Sequence, residues 1–338
     1  MYTLNATDID NGSEFFRKLN ANFAESTNPK SSHTLAECRT RFIAEMNRKA
    51  ALLGMTNTTF YEPAGNQPSN YYTNWTLPEL WIINDRNVMT SKDALRLLIY
   101  ASGIRVINDA WNIRSFTLNY RNGTTSKTAN ILSTVYNNTT CQSSIDSLLA
   151  SYDILGGKTG SYENVTNTLV VVARSKTTGK VYACVDFRTT LNSSSSDNKF
   201  IHTKSILDAA DNNGNAPSYA NGGYCVIELP TITPSLLNRA DITPIISQSP
   251  TTQFYPASVT KVMTAVLLAE NVANLEQKVT VKEGDRQPQT GSNFVDGDVM
   301  RLRELLQCLL MESSNTSAHV IARVVGGILL DKDANVFE

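Results

Sequence analysis

The sequence predicts a mixed α/β (α+β) fold, and three observations lead to this prediction. Two β-branched apolar runs, 168–174 and 181–188, flank a turn that contains glycine, which is typical of an antiparallel hairpin. Apolar stripes at helical spacing occupy 35–53 and 299–311. Residues 211–223 are nearly all turn formers and predict a linker between two parts of the chain.

The remaining elements follow from the same patterns. Residues 63–90 are rich in Pro, Asn, Tyr and Trp and predict a long loop with a short helix near 77–83. A strand is expected at 224–229, directly after the linker. No internal repeat is visible. Further helices are expected at 91–101, 200–210, 258–271 and 318–325.

Composition excludes several classes of protein. The net charge of −1 over 338 residues gives no electrostatic reason to expect nucleic acid or an anionic membrane as a partner. Five cysteines without a Cys-x-x-Cys pair argue against a disulfide framework or a zinc ribbon, and three scattered histidines argue against a local metal site. No run of about 18 apolar residues predicts a membrane span. The first residues do not resemble a signal peptide, so we expect either a cytoplasmic protein or one whose export signal is absent from this sequence.

Ser258-Val-Thr-Lys261 is a Ser-x-x-Lys motif at the start of an apolar helix. A serine there lies among free backbone N–H groups, and a lysine three residues later lies on the same face and can reach its hydroxyl. The alternative is a helix cap beside a surface lysine. Chance also produces this motif, since Ser196-Asp-Asn-Lys199 is a second example. We interpret that second motif as a solvated loop, because no apolar helix begins at Ser196.

Two further motifs complete a set. Lys158-Thr159-Gly160 is not the end of a phosphate-binding loop, because Tyr152 stands where that loop needs glycine and a strand follows. Ser313-Ser-Asn315 lies between two predicted helices. Alone, the first is compatible with a glycine-rich turn and an exposed lysine, and the second with ordinary helix caps. With Ser258 and Lys261 they form the nucleophile set of penicillin-binding proteins and serine β-lactamases.

On these motifs the chain resembles the D-alanyl-D-alanine carboxypeptidases, the low-molecular-mass penicillin-binding proteins of serine peptidase family S11. The resemblance implies an antiparallel sheet flanked by helices plus an all-helical subdomain, as in the serine β-lactamase and penicillin-binding-protein fold. It extends beyond the motifs to four longer segments. These are 42–58, 153–160 with the hairpin, 255–265 and 305–315.

The motif order differs from the family, in which Ser-x-x-Lys comes first and Lys-Thr-Gly last. The resemblance therefore implies a circular permutation, natural or built. Residues 1–210 correspond to the family's C-terminal part, with a helical segment, the Lys-Thr-Gly strand, the hairpin and the last helix. Residues 211–223 form the linker, and 224–338 correspond to the N-terminal part, with the first strands, the nucleophile helix and the Ser-x-Asn helices. One integrated catalytic domain is expected, and joining the family's usual ends is physically reasonable because domain ends often lie close together.

The resemblance also implies acyl transfer through a covalent serine. Ser258 is the nucleophile and Lys261 its general base. Burial and the neighbouring Lys158 favour the neutral amine of Lys261. Ser313 relays a proton toward the leaving group, and Asn315 holds the substrate amide.

The other implied roles concern binding. Lys158 and Thr159 bind the substrate carboxylate, and Gly160 lets the substrate strand lie close. The backbone N–H groups of Ser258 and Ser161 form the oxyanion site. No metal or cofactor is implied. The expected molecules are peptidoglycan stem peptides and β-lactam antibiotics, and the expected location is extracytoplasmic, in the cell envelope or secreted.

Two alternatives stay open. A β-lactamase would need a glutamate for deacylation, and Glu79 lies in the corresponding stretch, although its spacing to Asn84 is one residue off the family pattern. We interpret Glu79 as an acid at a helix start. The second alternative is a non-catalytic module that binds muropeptides or antibiotics. The oligomeric state is open too, since two copies could exchange halves and place Lys158 of one opposite Ser258 of the other.

Overall fold

The computed structural model describes residues 33–65, 86–162, 166–188, 198–219, 221–229, 242–287, 291–292 and 294–335. The short helix expected near 77–83, Glu79 and Ser196 lie outside these residues. The described residues contain eight α-helices, namely α1 (Leu35–Leu52), α2 (Ser91–Ser102), α3 (Arg105–Trp111), α4 (Gln142–Ser151), α5 (Asn198–Asp211), α6 (Lys261–Asn271), α7 (Leu302–Met311) and α8 (Asn315–Asn335). Their strands are β1 (Met89–Thr90), β2 (Ser115–Asn122), β3 (Thr125–Leu132), β4 (Tyr152–Tyr162), β5 (Thr166–Ser175), β6 (Val181–Arg188), β7 (Gly222–Glu228), β8 (Ile246–Gln248), β9 (Gln253–Phe254), β10 (Lys278–Thr280) and β11 (Asp298–Arg301).

The central sheet is antiparallel and has the order β4-β5-β6-β7-β8. Side chains alternate between its two faces, as the period of a strand requires. On β5, Val170 and Val172 face the core formed with α2, α6, α7 and α8, whereas Leu169 and Val171 face the smaller core under α4 and α5. Both faces of the central sheet are therefore covered, which explains why the sequences of β5 and β6 are continuously apolar. The α+β fold class with an antiparallel sheet flanked by helices is confirmed.

The linker packs against the sheet. It leaves α5 at Asp211 and enters β7 at Gly222, which pairs with β6. On the way, the Tyr219 ring lies 3.4 Å from the guanidinium carbon of Arg188, and the Gln248 side chain bonds both the N–H and the carbonyl of Tyr219. The turn formers thus lead the chain from α5, which packs on the sheet, into β7, which pairs with β6.

The helices differ from the predictions mainly at their ends. The helix expected over 299–311 begins only at Leu302, because Met300 is paired with Val279 in a strand and Glu304 caps the helix by accepting from the Arg301 N–H. The helix expected over 258–271 begins with a 3₁₀ turn, Ala257–Thr260, and becomes α-helical at Lys261. The one expected over 318–325 extends to 315–335.

The hairpin of β2 and β3 was not expected from the sequence. Its apolar residues alternate with polar ones: Leu118 of β2 and Ile131 of β3 are buried in the larger core, and Phe116, Tyr120 and Ala129 pack beside them. This alternation is typical of a strand with one buried face, and it was missed in the sequence. β2 pairs with β11, and the four-stranded sheet that results has the order β10-β11-β2-β3. This sheet borders the helical part next to α7 and is separate from the central sheet.

Helices α1 and α8 pack side by side although they lie at opposite ends of the described chain. A Cβ on Gly326 would come within 1.8 Å of the Cys38 carbonyl oxygen, so only glycine permits this approach. Near the helix ends, His33 Nε2 lies 2.8 Å from Asp331 Oδ1. The first described residues and the last ones are therefore neighbours.

Three further findings bear on the excluded classes. All five thiols are buried and free, and Cys184 and Cys308 lie in the core. Within the described ranges, no three His, Cys, Asp or Glu side chains gather where they could hold a metal ion. The helices of that same part of the chain include none whose length and apolar character would suit a bilayer crossing.

The close approach of α1 and α8 gives a stability prediction. Gly326→Ala should destabilise the protein by about 1–3 kcal/mol, because the added methyl group meets backbone that cannot rotate away. The matched control is Gly214→Ala, whose new Cβ would make an ordinary contact of 3.7 Å with Ala209 Cα. The control should change stability by less than about 0.5 kcal/mol. Urea unfolding measures both, and equal effects would contradict the packing argument.

Candidate active site

The turn that carries Ser258 has an unusual backbone. Ala257 has φ of +48°, a conformation that residues with a side chain rarely adopt. Two glycines pack against this turn. A Cβ on Gly65 would lie 1.8 Å from the Ala257 carbonyl oxygen, and one on Gly160 would lie 2.8 Å from that of Pro256. The nucleophile turn is thus held between the loop 60–65 and strand β4, and this contact brings the Lys-Thr-Gly segment beside Ser258.

Ser258 and Lys261 lie on one face because residues three apart eclipse in a 3₁₀ turn. Lys261 Nζ donates to Ser258 Oγ at 2.8 Å and to the Ala64 carbonyl at 2.7 Å. The Lys261 side chain is completely buried, whereas Ser258 is partly exposed. Burial lowers the pKa of Lys261 to about 7, against the opposing effect of the negative charge of Glu62. A substantial fraction of free amine is therefore present near neutral pH, next to the serine hydroxyl.

Lys158 lies within strand β4 itself, so the alternative of an exposed lysine in a turn is wrong. Its side chain is fully buried, and Nζ donates to Ser313 Oγ at 2.9 Å and to the Thr159 carbonyl at 2.8 Å. Burial lowers the pKa of Lys158 well below its usual value, and the charges of Lys261 and Lys199 lower it further. A second lysine–hydroxyl pair thus lies close enough to the first for their charges to interact.

The Ser-x-Asn motif occupies the connection between α7 and α8, as expected. Ser313 has φ of +69°, and the Ser314 N–H bonds the Cys308 carbonyl, which fixes the sharp turn. Asn315 is the first residue of α8 and is buried. Its Oδ1 has no hydrogen-bond partner among the residues that the structure describes. An unsatisfied buried amide oxygen is unfavourable, so this group is available to an incoming donor.

Thr159, Gly160 and Ser161 continue along β4, which is the edge strand of the central sheet. The Thr159 hydroxyl lies 2.7 Å from that of Thr134, a residue that no sequence motif identifies. Ser161 is exposed beyond Gly160. An edge strand presents backbone groups that can pair with another extended chain.

Lys199 is a further correction. The sequence suggested a solvated loop, but Lys199 lies in the first turn of α5, is buried, and donates to Ser161 Oγ at 2.8 Å. Burial lowers its pKa to about 8. The helix packs on the face of the sheet opposite the larger core and carries the lysine to the rim of the site. Helical periodicity at 200–210 did predict the helix, and only its first turn was missed.

The structure therefore brings together all the residues expected at the site. Ser258 and Lys261 pair, Lys158 and Ser313 pair, and Asn315 follows Ser313 on the same turn. Thr159, Gly160 and Ser161 border the nucleophile turn through the contact of Gly160 with Pro256 and Ala257. Sequence reasoning missed Thr134, Lys199 and the loop 60–65, whose contributions come from backbone contacts and long-range packing.

The comparisons with known proteins agree with this arrangement over part of the chain. The family model of D-alanyl-D-alanine carboxypeptidase, peptidase family S11, matches residues 242–330. The matched segment contains Ser258, Lys261, Ser313 and Asn315, and it does not contain Lys158. Neither the curated proteins nor the solved structures include a match to the chain.

The pKa of Lys261 gives a prediction about reactivity. The rate at which a covalent serine reagent modifies Ser258 should rise with pH through about 7, because the free amine of Lys261 is the form that can take the proton. Lys261→Ala should remove this dependence and slow the reaction by about 10²–10⁴. Intact-mass measurements over pH 5–9 test it. A rate in the wild-type chain that does not vary with pH would contradict the role of the amine.

Proposed function

We propose that the whole chain is a serine D,D-carboxypeptidase of peptidase family S11, the family whose model matches residues 242–330. It removes the terminal D-Ala of peptidoglycan stem peptides and is acylated by β-lactams. The observation that carries the proposal is the pair of buried lysine–hydroxyl contacts, Lys261 with Ser258 and Lys158 with Ser313. Burying two amines costs free energy, and a reaction that consumes and returns protons gives a reason to keep them.

Acylation uses the first pair. The free amine of Lys261 takes the proton of Ser258 Oγ, which adds to the carbonyl of the penultimate D-Ala. The oxyanion accepts from the backbone N–H groups of Ser258 and Ser161, and loss of one such donor typically costs about 3–4 kcal/mol. The C–N bond then breaks, and the proton that Lys261 took from Ser258 passes through Ser313 and Lys158 to the departing amine, so that Lys261 is a free amine again. Free D-Ala and an ester on Ser258 result.

Deacylation reverses the same proton path. Water adds to the ester carbonyl after giving a proton to Lys261. The C–O bond to Ser258 breaks, Oγ regains a proton, and the shortened peptide leaves as a carboxylic acid. The peptide and one water molecule are the only reactants, and Lys261 returns every proton that it takes.

Substrate binding uses the edge of the sheet. The peptide lies along β4 as an added strand, and Gly160 permits the close approach. The substrate carboxylate binds Thr159, whose hydroxyl is oriented by Thr134, with the Lys158 amine as a further donor, and the positive charge of Lys199 favours the anion. Asn315 Oδ1 accepts from the substrate amide. A stem peptide of this kind is found outside the plasma membrane, so the proposed location is extracytoplasmic.

We also propose that the chain is a circular permutation of the family fold, with 1–210 and 224–338 as the exchanged parts of one catalytic domain. Three observations support this. The matched segment 242–330 follows the Lys-Thr-Gly strand instead of preceding it. The linker runs from helix α5, which packs on the central sheet, into strand β7 of that sheet. His33 and Asp331, at the far ends of the described chain, are hydrogen-bonded, so the family's ordinary connection could run between them.

The activity is tested with a short peptide ending in D-Ala-D-Ala and with a fluorescent penicillin. We expect release of D-Ala and a long-lived covalent adduct, both lost in Ser258→Ala. The adduct is detected as a fluorescent band and by intact mass. Rapid hydrolysis of the penicillin with a short-lived adduct would instead indicate a β-lactamase. Absence of both adduct and hydrolysis would indicate a binding module.

The permutation is tested by restoring the ordinary order. A chain that begins in the linker near residue 216, continues through residue 335, and is joined by a short Gly-Ser connection to residue 33 should fold and form the same adduct. The matched control uses the same connection but opens the chain in the β5–β6 turn at 177–178, which separates the two strands of the hairpin. We expect the first chain to retain the thermal stability of the wild type more closely than the second. Failure of the first chain to fold would contradict the permutation.

A further inference from the structure

The loop 60–65 buries an acid directly under the catalytic pair. Glu62 is 1% exposed. Its Oε2 accepts from the Ala64 N–H at 2.8 Å, and its Oε1 accepts from Asn87 Nδ2 at 3.2 Å. The next residues of the loop reach the nucleophile helix, since the Ala64 carbonyl accepts from Lys261 and the Pro63 carbonyl accepts from Thr264. Glu62 therefore lies one short turn away from the acceptor of the catalytic amine.

The contacts of Asn87 connect the same acid to the nucleophile turn. Asn87 Nδ2 also bonds the Glu62 carbonyl at 2.9 Å and Thr260 Oγ1 at 3.0 Å, while its Oδ1 accepts from the N–H groups of Tyr61 and Glu62. Asn87 thus links the carboxylate of Glu62 to Thr260 in the nucleophile turn. Two N–H donors to the carboxylate favour its ionised form.

We propose that Glu62 is a positioning residue for the catalytic base: it fixes the Ala64 carbonyl against Lys261 and supplies a buried negative charge that holds the resting ammonium. This inference deepens the proposed function and rests on Lys261 acting as the base. The charge of Glu62 thereby sets what fraction of the Lys261 amine is free, and so able to take the proton of Ser258, at a given pH. Glu62 itself touches no reacting atom.

The charges that face Lys261 come from several elements. The loop supplies Glu62, strand β4 supplies Lys158, helix α8 supplies the buried His319, and Arg39 of α1 contacts His319. Burial lowers the pKa of His319 well below its usual value, with further lowering by Arg39 and Lys261, so the imidazole is neutral at physiological pH. Among the described groups that act on the pKa of Lys261, Glu62 is the one that raises it.

A different role, activation of the water that hydrolyses the acyl-enzyme, does not fit the surroundings of Glu62. Such a base needs access to water. Both carboxylate oxygens already accept from protein N–H groups, and the side chain is almost completely buried. Its effect therefore passes through Lys261.

The test measures the titration of Lys261 directly, without a substrate. Lysines are labelled with ¹³C at Cε, and the Lys261 resonance is identified by its absence in Lys261→Ala. Glu62→Gln should lower the midpoint of this titration by on the order of one pH unit, because removal of an adjacent opposite charge favours the neutral amine. Glu62→Asn is the second neutral variant, chosen because its side chain can accept from the N–H two residues on. Glu62→Asp keeps the charge and should leave the midpoint close to that of the wild type.

The matched control is Glu312→Gln. Glu312 is a half-buried acid near the Ser-x-Asn motif, but its carboxylate accepts from the N–H and hydroxyl of Ser292, and its charge does not enter the pKa of Lys261. This control should leave the Lys261 midpoint unchanged. An unchanged or raised midpoint in a folded neutral variant at position 62 overturns the inference.

The second readout is the pH profile of acylation by the fluorescent penicillin. In Glu62→Gln and Glu62→Asn, the acid limb should move to lower pH by the same amount as the titration midpoint. A purely structural role would lower the rate at every pH without moving the limb, and a role in water activation would lengthen the life of the adduct without moving the titration. Either result would overturn the inference. A wild-type chain that forms no adduct contradicts the proposed function alone, since the titration still decides the role of Glu62.

Discussion

The structure depends on two lysine amines that are completely removed from water. An isolated ammonium in a protein interior is strongly unfavourable, so each amine must lose its proton or find acceptors. Lys261 has the Ser258 hydroxyl and the Ala64 carbonyl, and Lys158 has the Ser313 hydroxyl and the Thr159 carbonyl. Because both amines need these four acceptors, the loop 60–65, strand β4, the nucleophile turn and the α7–α8 connection must all lie next to the two lysines.

The segments that supply the acceptors come from four separate parts of the chain, and rigid neighbours hold each of them. Glycines permit two of the close contacts, at Gly65 and Gly160, and the left-handed residues Ala257 and Ser313 provide the sharp turns. Such backbone conformations are unfavourable by themselves and persist because the packing around them leaves no alternative. Their concentration around the two hydroxyls is the pattern expected of a functional site.

The sequence was most informative where chemistry and local pattern coincide. The apolar helices, the β5–β6 hairpin and the three motifs were all predicted from residues close together in the chain. Residues whose role depends on long-range backbone contacts were missed. The Ala64 carbonyl is recognisable only once the loop is folded against α6, and Lys199 looked solvated because its burial depends on the docking of α5. The β2–β3 hairpin was missed although its apolar residues alternate, because these residues are few and lie among polar residues that face solvent.

The way the chain is threaded also affects the order in which it can fold. The whole central sheet comes from one continuous stretch, from Tyr152 to Gln248, so its strand pairings close short loops. Helices α1 and α8, by contrast, meet through residues as far apart as Arg41 and Asp333, which are separated by 292 positions. Local contacts form faster than distant ones, and chains emerge from the ribosome amino end first. The sheet with its Lys-Thr-Gly edge can therefore assemble while the serine-bearing segment is still being made, and α1 has no partner on its α8 side until α8 itself has been made. Apolar surface that is exposed in this way makes a folding chain prone to aggregation.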